Sequence, residues 1–248
     1  INPDMALPAG LYDVRVVNLH GAQAEAMGPL AVVDAPELTA TVPGVLCLAQ
    51  EPRALELNGQ GFLAIGEAEP RVDIGQANIA VDELLACTEI PHPSAPGRLC
   101  ESARLTVPQN AVAPGVHPVV VHNPETAACQ SEEQIDLRVV PPPSLQRVDP
   151  PLVCAHEGPR DVVLHGEDIL VIDGVLPAVT LTGPDGAAMD LPVTAPDGCQ
   201  PLETTGHTVE RCTQITVTVP QLAVAAPFQP TIVLTNPAPA GCHGSANM

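Results

Sequence analysis

Eight cysteines carry most of the reactive chemistry this sequence could perform, and they fall into two quartets. Cys47, Cys87, Cys100 and Cys129 are separated by 40, 13 and 29 residues; Cys154, Cys199, Cys212 and Cys242 by 45, 13 and 30. Matching spacings imply a duplicated unit, with an offset of 107 residues from Cys47 to Cys154. A cysteine can be a nucleophile, a metal ligand or half of a disulfide. Zinc sites use close pairs such as C-x2-C, whereas the closest pair here lies 13 residues apart. An even count at repeated spacing is the pattern of a disulfide framework. It implies an oxidising compartment, hence an extracellular or cell-surface setting. Once every cysteine is bridged, no thiol nucleophile is left.

The remaining side chains offer little catalytic chemistry. The sequence has no Gly-x-Ser-x-Gly elbow and no His-x3-His or His-Glu-x2-His pattern. His117 and His122 lie five residues apart, on opposite faces of any strand that holds both. The acidic stretches supply Glu167, Asp168, Asp173 and Asp185, but none follows the Asp-x-Asp-x-Asp-Gly calcium loop with its closing Glu. They read as turns and solvated loops. No cofactor is expected, and calcium is the one that the acidity leaves open. Sugar recognition by ring stacking is disfavoured, since the chain has no Trp, one Tyr and two Phe. The sequence reads as that of a non-enzyme.

Charge narrows the partners. A net charge of −20, with all nine cationic residues Arg, repels phosphate backbones and argues against nucleic acid. The absence of Lys also excludes Lys–Asn and Lys–Asp isopeptide staples. No run reaches the ~20 apolar residues of a membrane-spanning helix. No basic-then-apolar signal opens the chain, and Ile1 reads as the start of a processed or excerpted segment.

The elements that must position the cysteines read as strands. Thirty prolines and nineteen glycines disfavour long helices, and 248 residues suit about two domains. Residues 1–35 look like the last two strands of a preceding or partial unit. "LPAGLYDVRVVN" (7–18) alternates in period two and matches "VAPGVHPVVVHNP" (112–124) and "VAAPFQPTIVLTNP" (224–237). A complete unit spans 36–141. In it "RALELNGQGF" (53–62) sets Leu55 and Leu57 against Glu56 and Asn58, then is expected to turn at Gly59 and Gly61. "PRVDIG" (70–75), "NIAVDELLAC" (78–87), "ESARLTVP" (101–108), "GVHPVVVHNP" (115–124) and "QIDLRVV" (134–140) follow. Turn signals every ~8–12 residues are the pattern of a β-sandwich. "VVPPPS" (139–144) reads as a stiff, extended linker. The second unit, 142–248, repeats the plan: "ELTATVPGVLC" returns as "SLQRVDPPLVC" and "RALELNGQGF" as "RDVVLHGEDI". With six residues after Cys242, it is expected to lack its final strand.

These pieces resemble the IPT/TIG family of immunoglobulin-like domains. The resemblance rests on opening strands ending in Pro ("TVP", 41–43; "RVDP", 147–150), on the Gly-x-Gly-Phe turn in "NGQGF" (58–62), and on closing strands running into Asn-Pro ("HNP", 122–124; "TNP", 235–237). The second unit departs from it with "HGEDI" (165–169). The resemblance implies tandem antiparallel immunoglobulin-like sandwiches, no catalytic residues, and use as a spacer or binding module in secreted or surface proteins. Four cysteines allow three pairings per unit. Cys87 with Cys100, and Cys199 with Cys212, would close local loops. In a sandwich Cys47 could then reach Cys129, and Cys154 reach Cys242. The alternative Cys154–Cys199 with Cys212–Cys242 stays open.

The expected role is a non-catalytic extracellular structural or adhesive protein: a stalk, filament or sheath subunit partnered by its own copies or by further repeats. An accessory module of a larger secreted enzyme or surface receptor is the alternative. The uneven ends suggest one assembly route. Gly28, Pro29, Leu30, Ala31, Val32, Val33 and Asp34 stand where the missing last strand would be. One copy could donate them to the open edge of another.

Overall fold

A computed structural model describes residues 7–26, 28–90, 96–125, 127–153, 158–183, 186–221 and 229–247. Among these residues the chain is all-β, with no helix. The N-terminal stretch forms β1 (Gly10–Tyr12), β2 (Arg15–Val17), β3 (Gln23–Glu25) and β4 (Leu30–Val32). Next come β5 (Glu37–Val42), β6 (Val45–Leu46), β7 (Arg53–Ile65), β8 (Arg71–Ile74), β9 (Ala77–Ala80), β10 (Glu83–Ile90), β11 (Gly97–Val107), β12 (Gly115–His122) and β13 (Ile135–Val139). The rest comprises β14 (Ser144–Asp149), β15 (Arg160–Ile172), β16 (Ala178–Thr182), β17 (Ala188–Leu191), β18 (Val193–Asp197), β19 (Gln200–Leu202), β20 (Val209–Val219), β21 (Thr231–Thr235) and β22 (His243–Asn247).

The chain divides into two compact units that differ from the sequence repeats. One holds residues 1–42, 54–107 and 117–136; the other holds 43–53, 108–116 and 137–248. The proline run Pro141–Pro143 thus lies inside the second unit. So does the segment of the first repeat that carries Cys47.

In the first unit one sheet has the strand order β10–β11–β7–β5, and β8 pairs on one side with β12 and on the other with β9. Here β1 pairs antiparallel with β4, and β2 with β3. In the second unit β14–β15–β20–β18 form one sheet, with β19 also on β20, and β17–β16–β21–β22 form another. The two repeats share a strand plan: β5, β7, β11 and β10 correspond to β14, β15, β20 and the broken pair β18/β19. Likewise β8, β9 and β12 correspond to β16, β17 and β21. A short parallel pair, β6 with the end of β13, belongs to the second unit (Arg138 opposite Val45, Val139 opposite Leu46).

Alternation in sequence becomes alternation in burial, because successive strand residues face opposite sides. Leu55 and Leu57 on β7, Val72 and Ile74 on β8, and Ala103, Leu105 and Val107 on β11 are buried. In the second unit Val162, Leu164, Val179, Leu181, Ile215, Val217, Ile232 and Leu234 form one core cluster. Phe62 is fully buried; Phe228 lies outside the described residues.

Two expectations need correction. The "NGQGF" segment does not turn; β7 runs on to Ile65, and its pairing with β5 slips by one residue between Leu38 and Ala40. Glycine permits the close approach of the two backbones there, since a Cβ on Gly59 would lie 2.0 Å from the Glu37 carbonyl oxygen. In addition, the second repeat does have its last strand. β22 pairs with β21 from Thr231–Asn247 to Thr235–His243, starting directly after Cys242.

Candidate functional site

The strongest recurring local structure is the end of the Asn-Pro strand in each repeat, because it sets the fourth cysteine. Asn123 is buried and spans the bend of β7: its Oδ1 accepts from the Leu63 amide at 2.9 Å and its Nδ2 donates to the Gly61 carbonyl at 2.9 Å. Asn236 does the same on β15, accepting from the Leu170 amide and donating to the Asp168 carbonyl, both at 2.9 Å. Gly61 has φ +75°, and Asp168 holds the same left-handed conformation at +56°. That is how "HGEDI" replaces "NGQGF" without breaking the plan, since Asp tolerates this region better than most residues. After each Asn-Pro the chain bends through a left-handed residue, Ala128 (φ 51°) or Gly241 (φ 63°). The amide of that residue donates to the Pro124 or Pro237 carbonyl. The carbonyl of the next residue, Cys129 or Cys242, accepts from the amide of Asn123 or Asn236 at 2.8 Å. Cys129 and Cys242 are therefore held in the same frame.

Their sulfurs meet different partners. Cys87 bonds Cys100, and Cys199 bonds Cys212, each pair 13 residues apart across directly facing strands. The long bridge is Cys47–Cys242, spanning 195 residues. The expected Cys47–Cys129 bond is not formed, nor is Cys154–Cys242. Instead the first cysteine of the first quartet meets the fourth of the second. Grouping of residues 43–53 with the second unit is what brings Cys47 there. Cys129 carries a free thiol, half-buried, whose Sγ donates to the Ala127 carbonyl at 3.3 Å. Cys154 lies outside the described residues.

The surroundings of the long bridge are apolar and closed. Cys47 and Cys242 are fully buried with Val45, Val140, Leu170, Ile172, Val209 and Ala240. Two backbone bonds hold the Cys47 segment to its neighbours: Arg138 donates to the Gly44 carbonyl at 3.2 Å and Val140 to the Leu46 carbonyl at 2.8 Å. Gln50 adds a two-way clasp, donating from Nε2 to the His243 carbonyl at 2.6 Å and accepting the His243 amide at 2.8 Å.

Beside Cys129, within the first unit, lies instead an open groove of about 380 Å³. Leu63, Ile65, Ile90, Ala127 and the β4 segment line it together with Cys129.

The residues proposed for strand donation have other partners. Leu30–Val32 is β4, which pairs with Gly10–Tyr12 of its own chain, and Pro29, Val33 and their neighbours line the Cys129 groove. The edge of β21 that donation would have covered is already taken by β22.

The acidic and histidine groups are used locally. Asp173 accepts from the Thr208 amide at 2.8 Å and meets His207 Nδ1 at 2.7 Å, and these hydrogen bonds, that from His207 first, hold its carboxyl below the usual range. Asp168 sits 3.8 Å from Arg211, yet burial pushes its carboxyl up, against the pull of the guanidinium. His122 pairs with Asp73 at 2.9 Å. Among the described residues no group of three or more His, Cys, Asp or Glu side chains could hold a metal ion; Asp185 lies outside them. No helix among them is long and apolar enough to cross a membrane.

Sequence reasoning registered the two Asn-Pro motifs but not their work as clamps. The available signal was the Asn recurring six residues before the fourth cysteine of each quartet. No protein-family model matches the chain, and no curated protein is significantly similar to it.

Proposed function

We propose that this chain is a non-catalytic structural protein of the cell exterior, built from tandem immunoglobulin-like sandwiches of the IPT/TIG kind and serving as a subunit of a stalk, filament or sheath. The observation that carries the reading is the strand plan that recurs in the two sequence repeats, the Cys47–Cys242 bridge serving as a staple inside the second compact unit. Three disulfides fit an oxidising environment. The doubled strand plan, with β5, β7, β11 and β10 in one sheet and β9, β8 and β12 in the other, supports the immunoglobulin-like assignment. The acidic surface suits a soluble, self-repelling exterior part that joins its own kind only at specific places.

Electron microscopy of native material, labelled with an antibody against this chain, tests the reading. Labelled filaments, stalks or a sheath are expected. Label confined to discrete enzyme particles would overturn it in favour of an accessory module.

A further inference from the structure

We propose that the pocket beside the Cys199–Cys212 bridge in the second unit binds one sugar residue of a neutral glycan, held through its hydroxyls by Asp168, Arg211, Gln200 and Thr213. The site gives an exterior structural protein a partner class, and it rests on that reading.

Strand geometry brings these side chains together. β15 leaves its register with β20 between His165 and Ile169, so Glu167 and Asp168 stand at a bulge facing Thr213. Bulges of this kind re-aim side chains. Arg211 and Thr213 lie two apart on β20 and share one face, with Cys212 buried on the other. Gln200 faces Arg211 directly across the β19–β20 ladder, and the Cys199–Cys212 bridge fastens the same two strands at the next position. Gly198 keeps its wall bare, since a Cβ there would lie 2.2 Å from Thr213 Oγ1. The pocket measures about 290 Å³. That is the small end of the ~300–1,000 Å³ of ligand clefts, and it suits a single sugar residue.

The charged pair in it is unsatisfied. Asp168 Oδ1 lies 3.8 Å from Arg211 Nη1, beyond hydrogen-bond distance, and among the described residues neither charged group has another partner. Burial pushes the Asp168 carboxyl up against the pull of Arg211, so the group is drawn from water with no donor in exchange. The fold does not require this arrangement. The first repeat makes the same bend with Gly61 in place of Asp168, and carries Leu99 in place of Arg211. Its Asn clamp works equally well on the glycine. Asp168 therefore adds two costs that Gly61 avoids: a left-handed backbone at φ +56° and a partly desolvated charge. Costs of this sort collect where a protein binds or reacts.

The mixture of charges selects the ligand. A cation drawn to Asp168 and Glu167 would meet Arg211, and an anion drawn to Arg211 would meet both carboxylates. A neutral polyol escapes both conflicts, because each hydroxyl donates and accepts. Of two vicinal hydroxyls, one donates to the Asp168 carboxylate and its neighbour accepts from the Arg211 guanidinium. Both bonds are charge-assisted, the stronger kind. The Gln200 amide and the Thr213 hydroxyl serve further hydroxyls. No aromatic ring lines the pocket, so hydrogen bonds and not ring stacking carry the recognition. A zwitterionic amino acid is the competing solution, since its two charges also pair off, but it brings no hydroxyls for Gln200 and Thr213.

The whole chain sorts partners in the same direction. A net charge of −20 repels polyanionic glycans at a distance and leaves neutral ones free to approach. One shallow site binds one sugar residue weakly. Repeated along an assembly of copies, such sites gain strength through multivalency without any new contact.

The test applies the full-length chain, labelled and clustered on beads, to an array of immobilised neutral, amino, sialylated and sulfated glycans. Binding to neutral glycans is expected. The methyl glycoside of the bound glycan's terminal sugar is then titrated into isotope-labelled chain and followed by NMR. Amide shifts are expected at 166–168, 198–200 and 211–213. Asp168→Gly and Arg211→Leu install the residues of the first repeat, and each is expected to weaken binding at least tenfold. Gln200→Ala, at an exposed position that leaves both charges in place, is expected to weaken it several-fold, and the amide spectrum reports that each variant is folded. Binding to no neutral glycan, binding to charged glycans only, or shifts elsewhere on the chain would overturn the proposal. So would a pocket that takes free alanine and not the glycoside, or folded variants that bind as the wild type does. Native filaments that bind no glycan would sink this site and leave the structural reading standing. Glycan binding at the pocket by a chain never found in filaments, stalks or sheaths would do the reverse.

Discussion

Single side chains decide whether each repeat keeps its bend. Asn123 and Asn236 each bond one backbone amide and one backbone carbonyl at the bend. Truncation removes both bonds, and a buried polar group left unsatisfied costs about 1–3 kcal/mol. Asn236→Ala is therefore expected to destabilise the second unit by about 2–4 kcal/mol, measured by urea denaturation, with a smaller midpoint shift for a surface control such as Thr194→Ala. Asp168 offers a test of opposite sign. Burial raises its folded-state pKa, so the ionised form is penalised in the fold and stability is lost as pH rises through that value. Asp168→Asn keeps a residue that accepts φ +56° and removes the charge. It is expected to raise the melting temperature at pH 7, with the gain fading as pH falls below the ordinary Asp pKa of ~3.9, where both states of the parent are protonated. A lower melting temperature at pH 7 would show that Arg211, 3.8 Å away, outweighs burial.

At the scale of the strand, glycine marks where two backbones press together. A Cβ on Gly166 would sit 2.1 Å from the Ser144 carbonyl oxygen, as one on Gly59 would from Glu37. Gly166→Ala must push β14 off β15, and overpacking of this kind costs about 1–3 kcal/mol. Faster amide exchange in residues 144–149, with little change in β21, is the expected signature. Strand-level features were also the most legible in the sequence. Period-two patterns such as Leu55/Leu57 and Ile215/Val217 reported their faces directly, because one side of each strand meets the core and the other does not. β22 escaped notice for the converse reason. "HGSAN" has no apolar alternation, and it forms through its pairing with β21 rather than through side-chain burial. The local bridges were readable because Cys87–Cys100 and Cys199–Cys212 close short loops. The long one was not, since identical spacings in two repeats fit bonding within a repeat and between repeats equally well. Only the grouping of residues 43–53 with the second unit separates the two.

For the molecule as a whole, that long bridge and the net charge set how it holds together and how it meets its copies. Closing a loop of 195 residues removes enough unfolded-state freedom to be worth about 5 kcal/mol in the chain-entropy account, against about 3 for each local bridge. Cys47→Ser with Cys242→Ser is expected to lower the stability of the second unit by roughly that amount. Accelerated exchange should then appear first at residues 45–49 and 240–247, which meet at the bridge. Charge acts on assembly. Each copy carries −20, so two copies repel at long range, and any joining of copies works against that field at low salt. Raising ionic strength from about 0.01 M to about 0.15 M shortens the screening length from about 30 Å to about 8 Å. Self-association of the chain is therefore expected to strengthen over this range, measured by sedimentation velocity at fixed pH. Association that weakens with added salt would mean that opposite charges draw the copies together.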